Sequence, residues 1–571
     1  MAGSTSRDDQ KFPVLDVKQV AVARRFSSAD PVSFQPGAAI LAIGETNASS
    51  WLVLDGQLEI FSGTGLRGET PIVTLAAGQF SGEVSQLSAR PSLVGARAGT
   101  CGCKAIPFDA AHVRALIVGS AEIGELVMRA FILRRVALID SGASGSVLIG
   151  TPGSGQLVRL EGFLRRNGYP YIALDATSDV EGLALVQRLG IASSDLPIMV
   201  CPGGTVLKNP NEAAVARCLG ITPTLDKGRV YDVAIVGAGP AGLAAAVYGG
   251  SEGLDVLVLE QAVAGGQAGA SMRIENYLGF PTGITGQALM GRAFNQALKF
   301  GAEIALPLAV ANLAAPENTA SGPFALTLSN GQKVCARTVV IASGARYRQP
   351  SIPMLADFQG SGVSYWVSPI EAKLCGGEDV ALIGGGNSAG QAVVYLAPQV
   401  RRLHLVVRRP LEETMSAYLV ERIAALGNVD VHVGSEIVGI SGDEQGKLSS
   451  SVIRDLMSGV EKPLSVQHLF VFIGADPNTE WLPAGISVDE RGFIVTGQQA
   501  RGDIVRARQT LPLETSVPNV FAIGDIRAGS TKRVAAAVGE GAAVVSQIHE
   551  ALKAFDGAAV AREDRLLHAV R

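Results

Sequence analysis

One stretch, residues 230–260, constrains the fold of this chain more than any other. The apolar run VAIV at 233–236 is typical of a buried parallel strand, and it leads into the turn GAGPAG and an Ala-rich helical segment. A second apolar run, VLVL at 256–259, ends at Glu260. In such a turn, glycines permit a tight bend, close backbone approach to a pyrophosphate at the helix N-terminus, and close helix–strand contact. The pattern therefore predicts a dinucleotide site in which the acidic residue accepts a ribose hydroxyl. The predicted contacts are Gly237, Gly239, Pro240, Ala241, Gly242 and Glu260.

A second strand–turn–helix pattern of the same kind begins at residue 380. The apolar run VALI leads into GGGNSAG, a helical segment and another apolar strand. This strand ends at two arginines rather than at an acid. Paired guanidinium groups suit the 2′-phosphate of NADPH, whereas a carboxylate would select NAD; the alternative interpretation of the two arginines is a solvated loop. The predicted NADPH contacts are Gly384, Gly386, Asn387, Ser388, Ala389, Arg408 and Arg409.

Length and composition limit the classes of protein to which the chain can belong. A chain of 571 residues is too long for a single core and predicts several domains. The net charge of −4 provides no basic surface, so we do not expect a nucleic-acid partner. No apolar run reaches membrane-spanning length, the N-terminus does not resemble a signal peptide, and the six cysteines form no C-x-x-C pair. We therefore expect a cytoplasmic protein without membrane association or a metal site.

The first 140 residues have the spacing of short β-strands separated by Gly, Pro and Asp, which is typical of an all-β barrel or jelly roll. The segment 78–87 contains Gly82-Glu83 and resembles the phosphate cassette of cyclic-nucleotide-binding domains. The position of the phosphate-binding arginine of that family falls on Ser92, with Arg90 two residues earlier and Arg97 on the next strand. Loss of a bidentate phosphate partner weakens binding. A structural or protein-docking role is therefore favoured over cyclic-nucleotide binding.

Residues 141–225 have a strand–helix–strand pattern followed by a hairpin. This stretch resembles glutaredoxin-like and thioredoxin-like domains, with Pro197 at the cis-proline position of the family. The positions of the dithiol pair fall on Ser154 and Leu157, neither of which can form a low-pKa thiolate. We interpret Cys201 and Cys218 as small buried apolar residues. The resemblance therefore implies a thioredoxin-like module without redox cysteines, which would serve interaction or spacing.

Residues from about 229 to 555 resemble the thioredoxin-reductase family of pyridine nucleotide-disulfide oxidoreductases. The resemblance is carried by the segment GGQAGASMRIENY at 265–277, the turn ASG at 342–344, the turn GD at 524–525 and the segment KRV at 532–534. It implies an FAD domain in two parts (229–346 and 476–557), an inserted NADPH domain (347–475), a loose tail (558–571) and a homodimer. The implied flavin contacts are Gly266, Gln267, Ser271, Ile274, Asn276, Ala342, Gly344, Gly524, Asp525, Lys532, Arg533 and Val534.

The chain departs from this family at the position of its redox-active Cys-x-x-Cys. Alignment of GVSY at 362–365 places that motif on the sequence WVSP at 366–369, which has no cysteine, and nearby Cys375 is a single thiol. A disulfide relay needs two thiols to form and resolve the mixed disulfide. The expected chemistry therefore resides in the flavin, with no catalytic side chain and with Trp366 as a neighbour of the flavin.

The predicted architecture is an N-terminal jelly-roll barrel, a thioredoxin-like α/β unit and two Rossmann-type three-layer domains. The predicted function is that of an NADPH-dependent FAD oxidoreductase that passes hydride from NADPH to FAD and then reduces a protein or small-molecule acceptor. That acceptor would be a ferredoxin, a flavodoxin, a quinone or oxygen rather than a disulfide. The alternatives are a thioredoxin-disulfide reductase that uses other thiols or a partner, and a regulatory flavoprotein sensor whose N-terminal domains bind a ligand or partner.

Overall fold

The described residues of the computed structural model form six sheets, of which the first is antiparallel and five-stranded. The structure describes residues 7–63, 69–88, 90–142, 146–202, 204–316, 322–359, 362–367, 369–443, 447–500 and 509–569. The first sheet has the order β1-β5-β3-β4, with β2 paired to β5. Its strands are β1 (Val32–Phe34), β2 (Ala39–Leu41), β3 (Ser50–Ser62), β4 (Thr70–Leu75) and β5 (Gly95–Phe108). The accompanying helices are α1 (Arg7–Lys11), α2 (Val17–Ala23), α3 (Ala110–Gly119) and α4 (Ala121–Ser141). Helix α4 buries Ile123, Val127, Phe131 and Leu138, whose spacing places them on one helical face.

The second unit contains a four-stranded mixed sheet of order β7-β6-β8-β9. Its strands are β6 (Val147–Gly150), β7 (Ile172–Asp175), β8 (Ile198–Val200) and β9 (Val206–Lys208). Its helices are α5 (Gly155–Arg166), α6 (Val180–Arg188) and α7 (Glu212–Cys218). Strand β6 is parallel to β7 and antiparallel to β8, and the peptide bond before Pro197 is cis, as the resemblance implied.

The cysteines of this second unit differ from the prediction. The sequence predicts that Cys201 and Cys218 are separate apolar residues, whereas the structure joins them in a disulfide. The end of α7 lies beside the end of β8, so that the two Cα atoms are 6.3 Å apart although the residues are separated by 17 positions. The prediction was wrong because sequence spacing does not reveal this tertiary proximity.

A third sheet starts at residue 230 and has the order β12-β11-β10-β15-β14-β13. Its strands are β10 (Val230–Val236), β11 (Val256–Leu259), β12 (Glu303–Ala305), β13 (Val310–Ala314), β14 (Phe324–Leu328) and β15 (Lys333–Ile341). Its helices are α8 (Pro240–Ser251), α9 (Gly266–Gly269) and α10 (Gly286–Lys299). Strands β12, β11, β10 and β15 are mutually parallel, as expected of a doubly wound sheet.

The chain then leaves this sheet and forms the remaining sheets. Strands β16 (Ala345–Tyr347) and β25 (Ala475–Pro477) pair as an antiparallel link at the two ends of the insertion. Between them lie a five-stranded parallel sheet of order β17-β24-β18-β19-β20 and a three-stranded antiparallel sheet of order β21-β22-β23. Their strands are β17 (Val363–Ser364), β18 (Asp379–Ile383), β19 (Arg402–Val407), β20 (Val429–Val433), β21 (Ser435–Gly442), β22 (Leu448–Asp455), β23 (Glu461–Leu464) and β24 (His468–Val471). The helices are α11 (Pro369–Leu374), α12 (Asn387–Leu396) and α13 (Ala417–Ala424).

The C-terminal segment returns to the third sheet. Strand β26 (Val520–Ala522) pairs in parallel with β15, and α14 (Val534–Ala569) follows it. Helix α14 packs closely on α8, since a Cβ built on Gly541 would lie 2.4 Å from the carbonyl oxygen of Ala241. The predicted loose tail at 558–571 is helical as far as Ala569, because α14 continues without interruption.

One apolar core extends through the first three units. It includes Phe131 of α4, Leu160 of α5 and Leu298 of α10, all at most 2% exposed. Arg90 contributes to the same junction, with its guanidinium 5.6 Å from the ring centroid of Phe294. This shared core fixes the second unit against the helices of the third sheet. No helix in the described ranges is both long enough and apolar enough to cross a membrane.

Candidate functional site

The turn after β10 contains two glycines with different structural roles. Gly237 has φ +111°, and a Cβ there would lie 2.3 Å from the carbonyl oxygen of Ala342, so the fold itself requires glycine. Gly239 has an ordinary φ of −75° and is the N-cap of α8. The nearest atom to a Cβ built on Gly239 is 4.0 Å away. The space in front of Gly239 is therefore open to a ligand at the start of a helix, where the helix dipole favours a phosphate.

Glu260, at the end of β11, joins the turn to the following loop. Its carboxylate accepts the backbone N–H groups of Ala238 and Ala262, each at 2.9 Å. Burial raises the pKa of the Glu260 carboxyl, and the Ala238 and Ala262 donors and the charge of Arg166 oppose that shift. The carboxylate thus holds the turn in place at one end of a cavity.

This cavity has a volume of about 430 Å³ and brings together most of the residues that the sequence predicts as cofactor contacts. From the first turn and the flavin segments its lining includes Gly237, Gly239, Pro240, Ala241, Glu260, Gly266, Gln267, Ser271, Ala342, Gly344, Asp525, Lys532, Arg533 and Val534. Trp366 and Ser388 of the insertion line the same cavity. The cavity is therefore lined mainly by the first pattern and the flavin segments, and Ser388 is the predicted contact of the second pattern that reaches it.

Several predicted contacts lie outside the lining of this cavity: Gly242, Ile274, Asn276, Gly524, Gly384, Gly386, Asn387, Ala389, Arg408 and Arg409. Gly242 has a packing role, since a Cβ there would lie 1.9 Å from the carbonyl oxygen of Gly237. Ile274 is 4% exposed and pairs with Ile284 through two backbone hydrogen bonds. Gly524 is buried, and its N–H donates to Glu540 at 2.6 Å.

The cavity also has lining residues that sequence reasoning missed: Arg166, Gln261, Ala262, Val263, Ala268, Ala270, Met272, Ser343, Ala345, Arg346, Tyr347, Val367, Gln391, Ala392, Phe472, Ile523 and Ala537. Most of them lie within three residues of a predicted contact in the sequence, and that proximity is a signal that could have identified them. Arg166 has no such signal, because it ends α5 of the second unit and reaches the cavity only through tertiary packing.

The loop before α14 carries the ionisable groups at another part of the cavity wall. Burial raises the pKa of Asp525, an effect that nearby Lys532 opposes and Glu540 reinforces. Burial also lowers the pKa of Lys532. The Lys532 ammonium donates to Ser530 Oγ at 2.8 Å and lies 4.3 Å from the ring centroid of Phe493. These contacts hold the loop in position at the cavity.

Trp366 lies in the cavity wall, at the first of the four positions onto which the Cys-x-x-Cys motif of the family aligns. It is 42% exposed, and its indole N–H donates to Glu371 at 3.0 Å. Ser368, in the same stretch, lies outside the described residues. Cys375 is fully buried in the core of the insertion, and burial raises its thiol pKa to about 11. None of the described cysteines lines the cavity.

The second turn repeats the division of roles seen in the first. Gly384 has φ +138°, and a Cβ there would lie 2.2 Å from the carbonyl oxygen of Phe472. A Cβ on Gly386, the N-cap of α12, would meet no atom within 4 Å. Asn387 accepts the backbone N–H of Ser416 at 2.7 Å, which ties the turn to the loop that follows β19.

Arg408 and Arg409 begin that loop and are both exposed. Arg409 lies 4.0 Å from Glu413, a distance at which an exposed ion pair is weak. The two guanidinium groups are therefore accessible to an anion beside the second turn.

The predicted cassette near residue 83 is filled by the chain itself. Glu83 is 5% exposed, accepts a hydrogen bond from the Ser85 hydroxyl, and lies 3.5 Å from Arg135. Arg134 donates to the carbonyl oxygen of Gly82 at 2.9 Å. In these described contacts the carboxylate faces protein groups. No group of three or more His, Cys, Asp or Glu in the described part of the chain is placed to hold a metal ion.

Comparison with known proteins locates the similarity in the C-terminal half. The family described as pyridine nucleotide-disulphide oxidoreductase matches residues 231–541. The chain is 31% identical to NADPH-dependent thioredoxin reductase 3 of Arabidopsis thaliana, over 55% of this chain and 56% of that protein. It is 30% identical to thioredoxin reductase of Mycoplasma genitalium, over 56% of this chain and 95% of that protein. The crystal structure of T. acidophilum thioredoxin reductase matches with a TM-score of 0.51 at 29% identity, over 56% of this chain and 98% of that one.

Proposed function

Because the chain belongs to the pyridine nucleotide-disulphide oxidoreductase family, we propose that it oxidises NADPH through FAD and delivers the electrons to an acceptor other than a disulfide. FAD and NADPH are the cofactors of the thioredoxin-reductase relatives, and the chain is an oxidoreductase of that type. The observation that carries the choice of acceptor is the cavity. It is lined by both nucleotide-binding patterns and by Trp366 but, among the residues described, by no cysteine.

The cavity residues fit FAD. The open space at Gly239 accepts a diphosphate at the N-terminus of α8, and Glu260 lies where an adenosine ribose hydroxyl is bound in dinucleotide sites. Gln267 would contact the flavin, and Asp525 and the start of α14 would hold its ribityl chain and pyrimidine ring. When bound, FAD takes two electrons from NADPH and releases them singly or in pairs, while the protein positions the reactants and excludes water.

The second turn fits NADPH in the same manner. The open space at Gly386 accepts a diphosphate at the N-terminus of α12, and exposed Arg408 and Arg409 would pair with the 2′-phosphate. Ser388 of this turn also lines the cavity beside Trp366. The nicotinamide would therefore approach the flavin from the side on which Trp366 lies, so that the indole shields the flavin or moves aside.

The choice of acceptor follows from the absence of a cysteine among the described residues of the cavity wall. A disulfide substrate would need two thiols for reduction by the usual relay. Cys375 is buried with a raised pKa, so it supplies neither a thiolate nor a partner for one. A ferredoxin, a flavodoxin, a quinone or oxygen requires only that reduced flavin be accessible.

The same proposal assigns a domain type to each unit of the chain. Residues 1–140 form a cyclic-nucleotide-binding-like barrel with a structural role, since Glu83 is engaged by Ser85 and Arg135. Residues 141–225 form a thioredoxin-like module, residues 229–346 and 476–557 the FAD domain, and residues 347–475 the NADPH domain. The protein would act as a cytoplasmic homodimer.

One observation favours a second function, disulfide reduction. The chain has a disulfide of its own, Cys201–Cys218, in the unit that resembles thioredoxin. If this pair exchanged electrons with the flavin or with a partner dithiol, the chain would reduce disulfides by a route different from that of its relatives.

Steady-state NADPH oxidation with a panel of acceptors tests both functions. We expect the purified protein to be yellow, to bleach with NADPH under anaerobic conditions, and to turn over with ferredoxin, flavodoxin, quinone or oxygen. A colourless protein that binds no added FAD would overturn the proposal. Turnover of a disulfide reagent that is lost in Cys201→Ser/Cys218→Ser would instead support the second function.

A further inference from the structure

A guanidinium from the second unit lies in the cavity of the third. Arg166 ends α5, whose unit is built on the sheet β7-β6-β8-β9, yet its side chain lines the cavity together with Gly239 and Glu260. Arg166 is an exposed residue, and within the described ranges no hydrogen bond or ion pair joins it to another residue. Enclosure by neighbouring groups lowers the pKa of Arg166, and the charges of Glu260 and Tyr347 are the largest of those that oppose the shift. A guanidinium that lines a cavity without a protein partner is free to pair with an anionic group bound there.

Packing holds the end of α5 at this position. Leu160 and Leu164 are fully buried and Phe163 is 4% exposed in the core shared with the third sheet. One residue before Arg166, the carbonyl oxygen of Arg165 accepts a hydrogen bond from the Gln287 side chain of α10 at 3.1 Å. The entry of the arginine into the cavity is therefore a consequence of how the two units join.

The neighbours of Arg166 indicate which part of a ligand it would meet. Glu260 marks the adenosine end of the proposed FAD site. Tyr347, at the end of β16, marks the flavin side, where Gln267 donates to the Ala345 carbonyl at the start of the same strand. Arg166 lines the same cavity as Gly239, the N-cap of α8, where the open space accepts a diphosphate. In an extended dinucleotide the group between adenosine and flavin is the diphosphate, which a guanidinium binds in a bidentate manner.

We propose that Arg166 binds the diphosphate of FAD, so that the thioredoxin-like unit supplies part of the flavin site of its neighbour. This inference rests on the proposed function, since it requires FAD in the cavity. It gives the second unit a role that needs no redox cysteine: it completes a cofactor site and covers it.

The test is cofactor binding to the full-length apoprotein with Arg166→Gln, Arg166→Lys and the matched control Arg165→Gln. Arg165 precedes Arg166 on the same helix and is exposed like it, but its side chain does not line the cavity. We expect Arg166→Gln to weaken FAD binding about 10- to 100-fold, the range for a hydrogen bond to a charged group. Arg166→Lys should retain part of the affinity, and Arg165→Gln all of it. The effect should diminish as the ionic strength rises, because the interaction is one of charges.

Two fragments of the cofactor locate the contact. Riboflavin lacks the diphosphate, so its dissociation constant should be the same for wild type and Arg166→Gln, whereas ADP binding should weaken together with FAD binding. Equal losses for riboflavin and FAD, or unchanged FAD binding, would overturn the inference. So would a variant whose FAD affinity is normal but whose KM for NADPH rises, since that would assign Arg166 to the other nucleotide.

The readouts separate this inference from the proposed function. Wild-type protein that binds no FAD overturns both. Wild-type protein that binds FAD while Arg166→Gln binds it equally well overturns only the role of Arg166. Thermal unfolding of each apoprotein shows whether a loss of affinity reflects loss of fold, and Arg166→Lys, which keeps charge and size, is informative if Arg166→Gln unfolds.

Discussion

Individual side chains around the cavity are the basis of the proposed electron route. Trp366 lies in the wall at the position where the relatives' motif would begin, and Cys375 lies in the core behind it. An indole cannot take part in thiol–disulfide exchange, and a buried thiol cannot reach a disulfide substrate. At this scale the cavity wall combines residues of both turns with Trp366 and, among the described residues, contains no cysteine.

The first prediction concerns Cys375. A thiol with a pKa of about 11 is ionised in about one molecule in a thousand at pH 8, and burial removes access as well. Iodoacetamide should therefore modify exposed Cys101 in the native protein but not Cys375, as mass spectrometry would show. Reactivity of Cys375 should rise only as the pH approaches 11 or when the protein unfolds. Cys375→Ala should oxidise NADPH at the wild-type rate, and a large loss would contradict this interpretation.

The second prediction concerns the two exposed arginines after β19. Replacing Arg408 and Arg409 by Ala removes the groups proposed for the 2′-phosphate, so KM for NADPH should rise about tenfold or more while KM for NADH changes little. The control is Arg402→Ala at the other end of β19, where the side chain faces Asp430 at 3.4 Å. Equal changes in KM for both nucleotides would assign the pair to a solvated loop instead.

At the scale of elements, each of the two turns combines one glycine required by the fold with one that faces open space. Gly237 and Gly384 adopt positive φ and approach the backbone of a neighbouring strand. Gly239 and Gly386 are N-caps with ordinary backbone angles and open space in front of them. Substitutions at the two kinds of position should therefore have different effects.

The third prediction uses that difference in the first turn. Gly239→Ala should fold, because its Cβ would lie 4.0 Å from the nearest protein atom, but should bind FAD at least about tenfold more weakly, since the methyl group occupies the diphosphate space. Gly237→Ala should fail to fold or be severely destabilised, because its Cβ would lie 2.3 Å from a carbonyl oxygen. Circular dichroism and FAD titration measure the two effects. Loss of fold in both variants would contradict the proposed division.

The fourth prediction concerns a histidine pair on neighbouring strands of the parallel sheet. His404 of β19 and His432 of β20 have ring nitrogens 3.1 Å apart, and Asp430 lies 3.5 Å from His404. Burial lowers the pKa of both histidines below the ordinary value of 6.5, and the charge of His432 lowers that of His404 further.

The sign of the pH dependence follows from these shifts. Above pH 6.5 both rings are neutral in the folded and unfolded states, so stability is at its full value. As the pH falls below 6.5 the unfolded chain takes up protons first, and the free energy of unfolding should decrease. Urea denaturation between pH 5 and pH 8 should show this decrease for wild type and a smaller one for His432→Gln. An equal decrease in both would exclude the pair as its source.

At the scale of the molecule, the first three units share one apolar core. The cavity is lined by residues of the second unit, of the unit built on the third sheet, and of the insertion. Leu160, Phe131 and Leu298 belong to different units but to one cluster. Arg166, Gly239 and Trp366 likewise reach one cavity from different units. Removal of the N-terminal units should therefore affect cofactor binding as well as stability.

The fifth prediction tests this coupling by truncation. A chain that begins at residue 229 exposes the face of α10 that packs against the first two units and lacks Arg166. We expect it to melt several degrees below the full-length protein, to aggregate more readily, and to retain less FAD after purification. Differential scanning fluorimetry and the ratio of flavin to protein absorbance measure these effects. A truncated chain with full FAD content and an unchanged melting temperature would contradict the coupling.

The predictions that succeeded from sequence concerned either contacts between near neighbours in the chain or features that a family resemblance implied. The residues of each glycine turn, the strand before it and the helix after it are joined by local geometry, which is why the turns at 237 and 384 and the parallel strands around them were predicted correctly. The implied cis bond at Pro197 was confirmed as well. Strand β26 pairs in parallel with β15 and so completes the third sheet from a distant part of the chain, as the family resemblance implied.

The sequence by itself determined that this chain builds two dinucleotide turns and has no Cys-x-x-Cys between them, because both facts depend on residue types at fixed spacings. Only the tertiary structure decided that Cys201 meets Cys218, that Glu83 is engaged by its own chain, and that Arg166 enters the cavity beside Glu260. Each of these depends on how separate units pack. Such packing arises from the summed burial of many apolar side chains, and no local pattern encodes it.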